Sequence, residues 1–221
     1  MTISLHARTG HEPRFGKETA WPRSVPVNPA IAPLDIDAAE YWRGSSIDHV
    51  KATFRRITSE LNTSDDGRMA AEHFTGFAEH ATGVDAVCTA TLLGQVACSI
   101  PHPIGTALIV SAPSCSPVTV IENVAASLAA RNCVELALFE RPDPLLSALI
   151  DALQWVLPEG LFTVLSEQTG WGSRGPDTAI VIITPEHAFM NERPWVRSGA
   201  GTTGNALVAF YSRWESLSAV V

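Results

Sequence analysis

Few side chains in this sequence could do chemistry, and most of them fall in loops. Ala112-Pro-Ser-Cys-Ser-Pro117 offers a thiol, Cys115, between two hydroxyls, Ser114 and Ser116, in a turn closed by prolines. Glu140 follows an apolar run and Ser166 follows another. Gly199-Ala-Gly-Thr-Thr-Gly204 spells G-x-G-x-x-G, a phosphate-cradling pattern only when a strand precedes it. Arg193-Pro-Trp-Val-Arg-Ser is a poor strand, so a plain glycine loop is the simpler reading, as it is for Gly170–Gly175. His73 and His80 are seven apart, two helical turns or roughly 10 Å, too far for one metal without a third element between them. Cys88, Cys98, Cys115 and Cys133 show no C-x-x-C spacing and read as reduced, mostly buried thiols.

The elements that would position these groups are legible from periodicity. The first 44 residues carry five prolines with little apolar pattern and are expected to form an extended arm, with Trp21 a candidate anchor and Asp35 and Asp37 without a specific role. From Ser46, Ile47, Val50, Phe54, Ile57 and Leu61 recur at helical spacing. Thr63–Gly67 reads as a turn, and a second helix is expected to turn Met69, Phe74, Phe77 and Ala81 inward. Ala86–Ile100 suggests one or two strands bent at Gly94. Gly105–Ala112, Val134–Phe139, Gly160–Ser166 and Ala179–Thr184 read as buried strands. Between them lie a helix capped by Ser116-Pro117 and one capped by Asp143-Pro144, and Ala206–Leu217 is expected to be helical.

Strands alternating with helices imply parallel β-α-β units: an α/β, Rossmann-like open parallel sheet with helices on both faces, residues 45–221 forming a single domain. Such a sheet binds ligands beyond the carboxyl ends of its strands, where helix N-termini also point. The loops starting at Ala112, Glu140, Ser166 and Pro185 are therefore the places to look.

Composition narrows the classes. The chain has 221 residues, 46% hydrophobic and 17% charged, with net charge −8 and no basic run, which argues against a nucleic-acid binder. Residues 86–121 carry no charged side chain, but Pro101, Pro103, Pro113 and Pro117 would break a membrane helix, so buried strands explain the stretch and no membrane association is expected. No signal-peptide pattern opens the sequence, and a cytoplasmic location is the expectation.

Asn132-Cys-Val-Glu-Leu-Ala-Leu-Phe-Glu140 resembles the G-N-x-V-V-L-K-P-S-E strand by which aldehyde dehydrogenases hold their nucleotide. Ala112–Pro117 resembles the family's P-W-N-x-P turn, and Gly199–Gly204 its G-S-T-x-x-G turn. The order along the chain agrees, over roughly Gln95 to Ile183. The resemblance implies a cofactor domain of the aldehyde dehydrogenase type, acyl-coenzyme A reductase-like variants included. It implies cofactor contacts at Ala112, Pro113, Ser114, Cys115, Glu140 and Ser166, with Glu140 accepting from ribose hydroxyls. The departures are equally specific. Ala137 stands where the family's lysine would be, and Cys115 stands where an asparagine amide would hold an oxyanion, a task for which a thiol is a weak donor. No cysteine has the context of the family's catalytic thiol.

The expectation is a degenerate cofactor domain without dehydrogenase activity, with no catalytic residue and no metal of its own. It would serve as a binding or assembly protein with a weakened NAD(P) or acyl-carrier pocket, pairing as a homodimer or homo-oligomer. The alternative is an NAD(P)-dependent oxidoreductase completed by a larger partner subunit.

Overall fold

A computed structural model of the chain describes residues 37–92, 95–165, 178–190, 196–197 and 204–220. Its centre is a six-stranded sheet in the order β5-β4-β3-β6-β7-β8. The strands are β3 (Thr106–Ser111), β4 (Cys133–Leu138), β5 (Phe162–Leu165), β6 (Thr178–Ile183), β7 (His187–Met190) and β8 (Val196–Arg197). The first four in the order run parallel, and β7 and β8 are antiparallel additions at one edge. The α/β, parallel-sheet architecture expected from the sequence is the one observed.

Local chemistry explains the parallel units. Ser116 caps α4 (Pro117–Ala129), its Oγ accepting from the Thr119 amide at 3.1 Å, and Pro117 opens the helix where no N–H is needed. Asp143 does the same for α5 (Pro144–Val156), accepting from the Leu146 amide at 2.9 Å. Each helix therefore begins just beyond the strand before it, and returns the chain to the next parallel strand.

Alternation along the strands divides the sheet into two faces. Ala107, Ile109, Val134 and Leu136 join the main core with α4, α5 and the preceding helices α2 (Ile47–Leu61) and α3 (Asp65–Phe74). Phe54 and Phe74 stack there with ring centroids 4.7 Å apart. The opposite face carries Leu108, Val110 and Ala137, with Leu165, Ile180 and Ile182 packed beside them.

Three local expectations change. Residues 38–43 of the expected arm fold as α1 (Ala38–Arg43), capped by Asp37, because Trp42 reaches the core and is 2% exposed. The second helix starts at Asp65, capped by Ser64, so that part of the expected turn is helical, and a 3-10 turn (Thr75–His80) continues it. Its buried stripe runs through Ala70, Ala71 and Phe74, which leaves Met69 57% exposed. The third change is the largest. α6 (Gly204–Phe210) is short, and Ser212–Val220 forms a strand, β9, instead of prolonging the helix. It pairs antiparallel with β2 (Gln95–Pro103), which pairs in turn with β1 (Cys88–Leu92), giving a second, three-stranded sheet. The partner of β9 lies more than a hundred residues upstream, and tertiary pairing overrides local helical preference there.

One buried amide ties these parts together. Asn132 Oδ1 accepts from the Ile104 and Gly105 amides at 2.7 and 3.1 Å, and its Nδ2 donates to the Ser127 and Tyr211 carbonyls at 3.2 and 2.8 Å. It thus joins the entry to β3, the end of α4 and the start of β9. Arg131, with φ +65° and 1% exposed, reaches the other way. Its guanidinium donates to the Arg43 carbonyl and, at 2.9 Å, to the Pro101 carbonyl. Burial pulls its pKa down while the Asp85 carboxylate pushes it up.

Candidate functional site

The carboxyl ends of β3 and β4 and the N-termini of α4 and α5 converge on a cleft of about 140 Å³. Ser111 and Leu138, register partners at the ends of the two strands, form its floor. Val120 and Leu146 close its inner sides from the first turns of the helices, and Ala112, Cys115, Glu140, Arg141, Pro142 and Asp143 make the rim.

Local conformation sets the rim. The Ala112 amide donates to the Ile183 carbonyl of β6 at 2.8 Å, which extends the sheet by one rung. The Cys115 amide then turns back to the Ala112 carbonyl at 3.3 Å, and Ser114 takes φ +65° between them. That reversal brings Cys115 over the cleft while Pro113 and Ser114 point to solvent.

The site residues expected from sequence divide accordingly. Ala112, Cys115 and Glu140 come together around one cleft, and Pro113 and Ser114 shape its turn without lining it. Ser166 and Gly170–Gly175 lie outside the described residues, as does Gly199–Gly204 except for its last glycine. Gly204 opens a seven-residue helix and backs onto His80, whose ring a Cβ there would meet at 2.5 Å. His73 stands 3.9 Å from the Glu122 carboxylate, whose pKa is raised by burial and lowered by that histidine. Among the described residues no three His, Cys, Asp or Glu side chains gather to hold a metal.

Two site residues escaped sequence reading. Ser111 precedes the expected loop at Ala112 by one position and Arg141 lies inside the loop expected from Glu140; neither carries a motif of its own, and only their place at a strand end identifies them. Ser111 is 6% exposed, and its hydroxyl has no hydrogen-bond partner among the described residues.

The electrostatics are asymmetric. Burial pushes the Cys115 thiol up to about 11, so it is a neutral S–H at physiological pH. It is neither a thiolate nucleophile nor an effective substitute for an amide donor. Glu140 and Arg141 are exposed, and Asp143 is committed to capping α5. Ala137 does not line the cleft at all. It belongs to the opposite face, 3% exposed beside Leu108 and Val110.

The cleft that the described residues enclose is smaller than the roughly 300–1,000 Å³ of sites for drug-sized ligands, so these residues alone do not hold a whole dinucleotide. No step through such a cofactor follows from these residues.

No family model matches the chain, and no curated protein does. Solved structures do resemble it in fold. Succinate-semialdehyde dehydrogenase from Burkholderia pseudomallei matches over 60% of this chain and 32% of its own, with 18% identity and a TM-score of 0.47. An NAD-dependent aldehyde dehydrogenase from Sinorhizobium meliloti matches over 64% and 33%, with 14% identity and a TM-score of 0.48. Gamma-glutamyl phosphate reductase from Saccharomyces cerevisiae matches over 60% and 44%, with 12% identity and a TM-score of 0.44. The chain spans about a third of the length of two of them and 44% of the third, and their activities are their own.

Proposed function

We propose that this chain is an aldehyde dehydrogenase-like cofactor domain without independent dehydrogenase activity, acting as a binding or assembly protein through a reduced pocket. The cleft's size and lining support this most directly. An aldehyde oxidation needs a thiolate, an oxyanion donor, a hydride acceptor and a base. At the strand ends stand a protonated thiol, a small cavity and one solvated carboxylate, Glu140. Any remaining NAD(P) affinity would be weak, because nothing at Ala137 replaces the lysine.

Self-association as a homodimer or homo-oligomer belongs to this reading, since an assembly protein must present a surface. No helix among the described residues is long and apolar enough to cross a membrane, and a cytoplasmic place is part of the proposal.

Pure protein assayed with NAD or NADP and a panel of aldehydes is expected to give no turnover, and calorimetry no saturable dinucleotide binding. Robust turnover would overturn the proposal. Tight dinucleotide binding, or co-purification with a larger polypeptide that restores turnover, would replace it with an oxidoreductase completed by a partner.

A further inference from the structure

We propose that the outer edge of β9 pairs antiparallel with the β9 edge of a second copy of this chain, about a two-fold axis at Trp214. The inference rests on the self-association in the reading above and names the surface that carries it.

β9 is the longest edge strand among the described residues. Its nine residues pair one for one with β2 on one side, and no described strand borders it on the other. The edges of the six-stranded sheet, β5 and β8, have four residues and two, and β1 has five. Short length, proline and lysine are the usual protections of an edge against other chains, and β9 has none of the three.

The groups that face outward follow from β2. The Pro101 carbonyl accepts from the Arg131 guanidinium at 2.9 Å, and a proline has no N–H to give, so Pro101 turns its backbone away from β9. Trp214 stands opposite Pro101, and directly opposed residues of an antiparallel ladder exchange both bonds or neither. Trp214 therefore aims its N–H and C=O at the open edge, as Ser216 does by alternation.

A two-fold axis perpendicular to the sheet must pass through a residue, because opposed side chains share one face. Centred on Trp214, the pairing sets Arg213 against the partner's Glu215 and Glu215 against the partner's Arg213. Both pairs fall at the non-hydrogen-bonded positions, where side chains come closest. Arg213 is exposed and makes no ion pair among the described residues. Glu215 lies 3.3 Å from His102 through Oε2, which leaves Oε1 for a second cation. The two Trp214 rings, each 41% exposed in the single chain, become neighbours. An axis at Arg213 or Glu215 would oppose like charges, and one at Ser216 would set both charges against aliphatic side chains.

Sedimentation equilibrium of the full chain tests the pairing. The wild type is expected to dimerise. Arg213→Glu and Glu215→Arg should each weaken the dimer about tenfold, and the two together should restore it, since the charges then exchange sides. Trp214→Pro removes an outward N–H, leaves the bonds between β2 and β9 in place, and should give a monomer with an unchanged circular dichroism spectrum. A dimer indifferent to these variants, or charge reversals whose combination does not recover it, overturns the proposal while self-association stands. A wild type that stays monomeric at high concentration overturns both.

Discussion

Ala137 faces Val110 across the β3–β4 ladder, and both side chains are 3% exposed on the sheet face away from α4 and α5. The position at which the strand pattern it resembles carries a lysine is here part of an apolar layer with Leu108, Leu165, Ile180 and Ile182.

Restoring the lysine should therefore fail as a repair. Ala137→Lys would bring an ammonium among aliphatic neighbours, and several kcal/mol of destabilisation is expected. Urea denaturation should show a lower midpoint, and calorimetry no gain in NAD(P) affinity. A variant with unchanged stability and new dinucleotide binding would show the face to be open.

Asn132 should be among the least replaceable residues. Asn132→Ala leaves the Ile104 and Gly105 amides and the Ser127 and Tyr211 carbonyls without their side-chain partner. At about 1–3 kcal/mol for each buried group left unsatisfied, the loss approaches the whole stability of an ordinary domain. Tyr211→Phe removes only the 2.9 Å bond to Asn123 Oδ1 and should cost about 1–2 kcal/mol. Comparison of the two midpoints in urea checks the ranking.

The glycines divide in a way their motif does not suggest. A Cβ at Gly67 would meet the Leu61 carbonyl oxygen at 2.0 Å, and one at Gly83 the Ile47 amide nitrogen at 2.3 Å, both backbone. At Gly204 the obstacle is the exposed ring of His80, which can turn away. Gly67→Ala and Gly83→Ala should lower the thermal midpoint clearly, while Gly204→Ala, inside the G-x-G-x-x-G string, should change it little.

Cys115 should be slow to react although it borders a cleft. With its pKa near 11, only about one molecule in a thousand carries the thiolate at pH 8. Iodoacetamide labelling read by peptide mass should lag well behind that of a model peptide thiol. The folded state favours the protonated thiol, so its contribution to stability is complete below about pH 9 and declines as pH climbs toward 11. Cys133, also raised by burial, adds to the same decline, and Cys115→Ala should remove part of it.

The parallel half of this fold could be read from sequence because its signals are local. Ser116-Pro117 and Asp143-Pro144 announce helices, and Thr106–Ser111 and Cys133–Leu138 are apolar runs of strand length. The turn at Ala112–Cys115 and the carboxylate at Glu140 are expected beyond the strand ends by the same logic, and they border the cleft. Ser212–Leu217 reads as the end of a helix because nothing within it signals a partner at Gln95–Pro103, and Met69 reads as inward because it stands one position from the buried Ala70. Arg141 and Ser111 became visible only when two loops closed around the same space.

The ladder between β2 and β9 also governs the order in which this protein can be completed. Its rungs join Gln95 to Val220 and Pro103 to Ser212, so on a translating ribosome β2 waits for more than a hundred further residues before its mate exists. Until then the Asn132 amide has no Tyr211 carbonyl to grasp, and one edge of the β1–β2 hairpin stays open to other chains. Nascent molecules stalled before Ser212 should be the ones that chaperones hold.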